Sequence, residues 1–163
     1  MRMGESENRV RRRRALRRRD AAALLDEASG IVGGVEASMV EEALTGDGRT
    51  VYILDDEIIF FRDGGSLVPM LRSPYVDRLP AAVVDMGAVP FVCKGADVMA
   101  PGITEVRGEF NAGHLVVVRD VRHGKALAVG RALMPSGEIM GSRKGKAIRN
   151  LHYVGDKLWN TEA

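Results

Sequence analysis

A single cysteine, Cys93, stands in this chain of 163 residues. An intrachain disulfide and a cysteine-based zinc site are therefore both excluded. No secretory leader is read at the start, so the reducing cytoplasm is the expected compartment. No apolar run approaches the roughly 18 residues that suggest a membrane span. Aromatic residues make up only 5% of the chain, too few for a sheet that binds RNA by stacking bases on clustered exposed rings. Histidine is also scarce. His114, His123 and His152 are the three present, in no metal-ligand spacing. What the chain does have is a 45% hydrophobic share, enough to bury a core in one domain or two small ones.

The net charge of +2 conceals a sharp division. Residues 1–19 sum to +7, residues 20–78 to −8 and residues 79–163 to +3, and within the last segment Arg119 to Lys157 reaches +6. Such asymmetry points to a polyanionic partner such as RNA. The arginines Arg9, Arg11 to Arg14 and Arg17 to Arg19 read as a solvated basic arm, 1–19, because blocks of like charge repel and stay extended. Either the arm attracts RNA nonspecifically or it docks on a defined RNA; a membrane-surface helix is disfavoured, since Val10, Ala15 and Leu16 give too small an apolar face.

Beyond the arm, Asp20 caps a helix of good formers, Ala21 to Ala28, with Gly30 placed to end it. Val35 to Leu44 reads as a strand, although Met39 to Leu44 also fits a helix. Val51 to Leu54 and Glu57 to Phe61 are two strands around Asp55-Asp56, and Asp63-Gly64-Gly65 turns the chain again. These elements predict a small α+β domain over 20–78, with Pro69 to Pro80 as connector. The remainder, 79–163, has short apolar stretches between glycine turns, as a compact β-barrel requires. Its expected strands are Ala81 to Asp85, His114 to Arg119, Ala126 to Met134 and Ala147 to Val154. Met86 to Cys93 is a brief helix, and Trp159 pins the C-terminus.

Two stretches carry chemistry. Gly87 to Ile103 joins the helix to an extended segment through small residues and Lys94, a point charge suited to a phosphate. The same glycines would also suit a barrel corner. Ser142 to Arg149 holds four bases in eight residues but is not a phosphate-binding P-loop, since Ala147 stands where Ser or Thr would hold magnesium. It reads equally as a solvated turn. No nucleophile, base and orienting group form a catalytic set, no cofactor or metal is implied, and Cys93 reads as a buried, inert thiol. His152 reads as a packed side chain rather than a proton shuttle.

The run Val84-Asp85-Met86-Gly87-Ala88-Val89 through Lys94-Gly95-Ala96-Asp97-Val98-Met99-Ala100-Pro101-Gly102-Ile103, with Ala126 to Gly130 and Lys144-Gly145-Lys146-Ala147-Ile148, closely resembles a PUA domain, an RNA-binding pseudobarrel. The tail His152-Tyr153-Val154-Gly155-Asp156-Lys157-Leu158-Trp159 resembles the end of the malignant T-cell-amplified sequence proteins and their archaeal relatives. Those join an N-terminal α+β domain to a C-terminal PUA domain. Glu57 to Arg62 and Val68 to Arg72 fit that first domain, while the long arginine arm and the acidic first domain depart from the eukaryotic pattern and suit an archaeal version.

The resemblance implies an RNA site in which Lys94, Gly95, Ala96, Met99, Pro101, Gly102 and Ile103 meet backbone and terminal bases, and Arg143, Lys144, Lys146 and Arg149 meet phosphates. It implies a non-catalytic role in translation initiation, reinitiation or ribosome recycling, with a tRNA acceptor end or small-subunit ribosomal RNA as ligand and the small subunit and an initiation-type protein as partners. The alternatives are an RNA-modification enzyme or its accessory subunit, and an adaptor whose acidic segment docks a basic ribosomal protein.

Overall fold

The computed structural model describes residues 7–163. The first half is a five-stranded antiparallel meander packed under one helix. Its strands are β1 (Arg11–Ala15), β2 (Val40–Leu44), β3 (Thr50–Leu54), β4 (Glu57–Asp63) and β5 (Ser66–Pro69), in spatial order of sequence. Asp55 and Asp56, at φ 47° and 70°, close the β3–β4 hairpin with the two left-handed residues such a turn needs. The Asp55 carboxylate also accepts the N–H groups of Ser38 (3.0 Å) and Met39 (2.9 Å), fixing the entry to β2. Pro69 ends β5, an outer strand where a missing N–H is tolerated.

Helix α1 spans Arg18–Val32 and buries Leu24, Ala28 and Val32, a stripe spaced by four residues. It runs straight through Gly30, the stop that local pattern predicts, and ends at Gly33 (φ 78°). Burying Val32 is worth about 1.5–3 kcal/mol, more than the roughly 1 kcal/mol that an exposed helical glycine costs. At the other end the helix starts two residues before Asp20, with Arg17 at the cap position and no side-chain cap bond.

The larger correction concerns the arm. Its first six residues, 1–6, lie outside the described residues. Arg11–Ala15, however, is the outer strand of the sheet, paired antiparallel with β2 around a bulge at Arg12 (φ 53°). Arg13 donates to both oxygens of Glu41 at 2.8 Å and to Asp56 at 2.6 Å, and Arg14 donates to Glu42 at 3.0 Å. The basic and acidic blocks of the sequence are thus partly apposed in space. The Arg13 hydrogen bond holds the Glu41 carboxyl below its usual range.

The second half is a six-stranded sheet, ordered β7-β11-β10-β9-β6-β8 and curled into a pseudobarrel. It comprises β6 (Ala81–Val84), β7 (Val98–Met99), β8 (Ile103–Arg107), β9 (Leu115–Asp120), β10 (Ala126–Ala132) and β11 (Lys146–Tyr153), with one-turn helices α2 (Val89–Val92) and α3 (Ser136–Ile139). Gly130 is required where β10 crosses β11: a Cβ there would lie 2.3 Å from Ile148 and 2.6 Å from the Arg149 carbonyl.

The two halves share a core. Leu115, Val117, Val129 and Leu158 of the barrel join Leu24, Val51, Phe60, Phe61 and Leu67 in one buried cluster, while Val84, Val92, Val116, Ala128 and Ile148 form a second one inside the barrel. Pro69 to Pro80 is accordingly more than a connector. Within it Arg78 donates to the carbonyls of Val32 (3.1 Å) and Gly34 (2.9 Å), and Asp77 accepts from Arg119 at 2.5 Å. His152 is fully buried at this joint, edge-on to Phe61, with Nδ1 2.9 Å from the Asp156 carboxylate. Burial pushes the Asp156 carboxyl up, but His152 and the N–H groups of Trp159 and Tyr153 outweigh it and hold the acid below its usual range.

Candidate nucleic-acid interface

The two chemistry-bearing stretches, some 50 residues apart in sequence, meet in the short pairing of β7 with β11. Met99 lies opposite Lys146 and Val98 opposite Ile148, and the Ala100 N–H donates to the Gly145 carbonyl at 2.9 Å. Asn150 completes the junction. Its Nδ2 donates to the carbonyls of Val92 and Ala96, each at 3.1 Å, and its own N–H donates to Asp97 at 2.9 Å. The Lys146 Nζ sits 3.2 Å from the same carboxylate. The Asn150 N–H is the main cause holding the Asp97 carboxyl below its usual range; burial opposes it and Lys146 adds to it.

Between these elements lies a cleft of about 430 Å³ whose lining is mostly apolar: Ala88, Phe91, Val92, Ala96, Val98, Met99 and Gly102, with Asp97 and Lys146 beside them. Phe91 is 65% exposed and Met99 46%, so the cleft presents an uncovered ring and a thioether. Lys94, Ala96, Pro101, Arg143, Lys144 and Arg149 are exposed. Lys94, Arg143, Lys144 and Arg149 make no ion pair among the described residues. Such a surface is an open, mostly apolar slot with Lys146 on its wall and exposed cations in the two stretches that form it.

Not every expected residue fits. Ile103 is 5% exposed and belongs to the barrel core, because it is the inward residue at the start of β8. Gly95, at φ +95°, is explained by the fold itself: a Cβ there would stand 2.9 Å from the Tyr153 ring. Arg149 lies farther along β11, opposite Arg131 of β10. Phe91, Asp97 and Asn150 escaped the sequence reading as site residues. Phe91 sits in an apolar run, and only a helix as short as one turn leaves it uncovered. Cys93 is half-buried, and burial pushes its thiol up against the opposing pull of Lys125. Among the histidines, His114 and His123 are exposed and His152 is packed.

A family model described as the PUA domain matches residues 80–154, the segment that holds the cleft. An uncharacterized protein of Methanocaldococcus jannaschii is 44% identical over 124 residues, covering 74% of this chain and 75% of its own. Translation machinery-associated protein 20 of Saccharomyces cerevisiae is 33% identical over 131 residues, 76% of this chain and 72% of its own. This chain belongs to the family of these two proteins. Malignant T-cell-amplified sequence 1-B of Xenopus laevis, 38% identical over 116 residues, covers 68% of this chain and 64% of its own. In three dimensions a hypothetical protein of Pyrococcus horikoshii superposes with a TM-score of 0.80 at 28% identity, covering 93% of this chain and 99% of its own. A PUA-domain structure from Aeropyrum pernix does so equally, with a TM-score of 0.80 at 25% identity over 93% and 91%. The likeness covers the meander as well as the barrel, so both halves belong to the shared fold of this PUA-domain family.

Proposed function

We propose that this protein is a cytoplasmic, non-catalytic RNA-binding factor of translation that takes an unpaired RNA end into the cleft between α2, β7 and the start of β11. The observation that carries this reading is an apolar slot in a PUA domain, open at Phe91 and Met99, with Lys146 on its wall and the exposed Lys94, Arg143 and Lys144 in the stretches that form it. A splayed base packs on the ring and the thioether, while the cations meet the phosphates on either side. Lys146 serves less as a free charge than the others, since Asp97 already holds it. The ligand is a tRNA acceptor end or an exposed end of small-subunit ribosomal RNA, and the factor acts on the small subunit during initiation or recycling, beside an initiation-type protein. The names of the yeast and frog relatives, which place those proteins in translation and in the malignant T-cell-amplified sequence group, support the setting.

The test is fluorescence anisotropy of the full chain against a tRNA that keeps or lacks its single-stranded 3′ end. Loss of the end should weaken binding at least about tenfold, or 1.4 kcal/mol. Lys94→Glu should abolish that difference without lowering the melting temperature. Equal affinity for both RNAs overturns the acceptor-end reading.

A further inference from the structure

The arginines of the first half remain unexplained by a cleft in the second. All 13 cations between residues 1 and 93 are arginine, and lysine first appears at Lys94. Some have work in the fold, Arg13 and Arg14 on the acids of β2 and Arg11 on the Gly46 carbonyl at 3.3 Å. Arg9, Arg12, Arg17, Arg18 and Arg19 are exposed and make no ion pair among the described residues. Three of them stand where α1 begins, at the positive end of its dipole, and there a cation weakens the helix instead of supporting it. Arg12 lies in β1, an outer strand held in place by its ladder to β2, while Arg9 precedes that strand and Arg17–Arg19 follow it into α1, so the charges are carried by ordered elements and do not trail from a loose arm.

We infer that the outer edge of the meander, from Arg9 through Arg12 to Arg17–Arg19, is a second RNA-binding face that grips the phosphodiester backbone without reading sequence. Guanidinium groups suit this task, because their planar fork meets two phosphate oxygens at once. A polymer with one negative charge per repeat matches such a concentration of bare cations better than a protein surface of scattered acids. The face is on a different sheet from the cleft, and it stands on charge and placement alone; only the choice of RNA among phosphate polymers rests on the function proposed above. An arginine-rich edge would also discourage edge-to-edge association of sheets, which gives the rival outcome.

The probe is a blunt RNA duplex with no single-stranded end, so failure of the cleft reading leaves the result untouched. Binding by the full chain is followed by anisotropy from low to moderate salt. With Arg12, Arg17, Arg18 and Arg19 all changed to Gln, the slope of log affinity against log salt should shrink by about 3, since each lost phosphate contact removes roughly 0.7–0.9. Affinity at about 0.1 M salt should fall on the order of 100-fold. Should that variant not fold, the unaltered protein still decides the matter: bound duplex should shield these four arginines from phenylglyoxal, read by mass spectrometry. Unchanged slope and affinity, unshielded arginines, or a variant that merely self-associates would overturn the inference. So would polyglutamate competing as well as RNA at equal charge, which would make the face a site for acidic protein.

Discussion

Gly95→Ala separates two explanations of the same glycine. Were Gly95 small so that an RNA backbone could approach, alanine would lower affinity and leave stability alone. The fold argues otherwise: the residue sits at φ +95°, and a Cβ would stand 2.9 Å from Cε1, 3.2 Å from Cζ and 3.3 Å from the hydroxyl of Tyr153. An L-residue in left-handed backbone costs about 1–2 kcal/mol. Pressing a methyl into a packed ring costs about 1–3 kcal/mol more, discounted to the low end because Tyr153 is only half-buried and has room to yield. The sum is about 2–3 kcal/mol, which for a chain of this length lowers the melting temperature by roughly 5–12 °C. Urea unfolding of the full chain measures it. In a Tyr153→Ala background the steric part vanishes, so the same substitution should cost only about 1–2 kcal/mol. A neutral Gly95→Ala, or an identical cost in both backgrounds, would refute the reasoning.

Two further predictions follow from the fold. Deleting residues 1–16 removes β1 with its ladder to β2 and the Arg13 pairs with Glu41 and Asp56. Because Arg13 and Asp56 are solvent-exposed, those pairs add little, and most of an expected loss of about 2–3 kcal/mol comes from strand pairing. Unfolding curves that coincide with the full chain would mean the segment is a free arm after all. Asp156→Asn tests the acid limb of stability. The native carboxyl of Asp156 is held below its unfolded value, so its contribution is complete above the unfolded pKa of about 4 and is lost as pH falls through the native one. The variant should therefore be less stable at neutral pH and should show a shallower decline below about pH 4. Parallel pH curves for the two proteins would remove Asp156 from the account, leaving Glu41, Asp97 and Asp120, whose carboxyls are also held low.

Which parts of this structure could be read in advance depends on where the determining contacts lie. Tyr52-Ile53-Leu54 and Ile58 to Phe61 carry their own strand signal, and Asp55-Asp56 supplies the turn, so that hairpin is legible from local pattern alone. Strand β1 has no apolar alternation. It is a strand because β2, some 28 residues away, offers it a backbone ladder, with Glu41 and Glu42 placed to receive Arg13 and Arg14. Strands β7 and β8 are hard to read for a related reason: one has two residues, and the other is an outer strand burying only Ile103 and part of Val106. The cleft divides in the same way. Its two basic and glycine-bearing stretches are visible separately, but the junction rests on Asn150 reaching back across more than 50 residues, which no spacing announces.

The charge blocks show why composition alone misleads about potential. Six of the twelve acids between residues 20 and 78, namely Glu27, Glu41, Glu42, Asp56, Asp63 and Asp77, lie in ion pairs with arginines of the fold. An acidic docking surface for a basic protein is correspondingly smaller than −8 suggests, which weakens the adaptor alternative. The pairs themselves add little stability, since nearly all have an exposed partner. Their effect is positional: by consuming Arg13, Arg14, Arg49, Arg62 and Arg119 they decide which cations remain to face outward. Those left over include Arg9, Arg12 and Arg17–Arg19 in the first half, and Lys94, Arg143 and Lys144 in the two stretches that meet at the cleft. Over distances shorter than the roughly 8 Å screening length of physiological salt, an RNA chain responds to those local arrays and hardly at all to a total of +2. A nearly neutral protein can therefore bind RNA with the steep salt dependence of a basic one, and the two arrays predict that this dependence divides into separable parts.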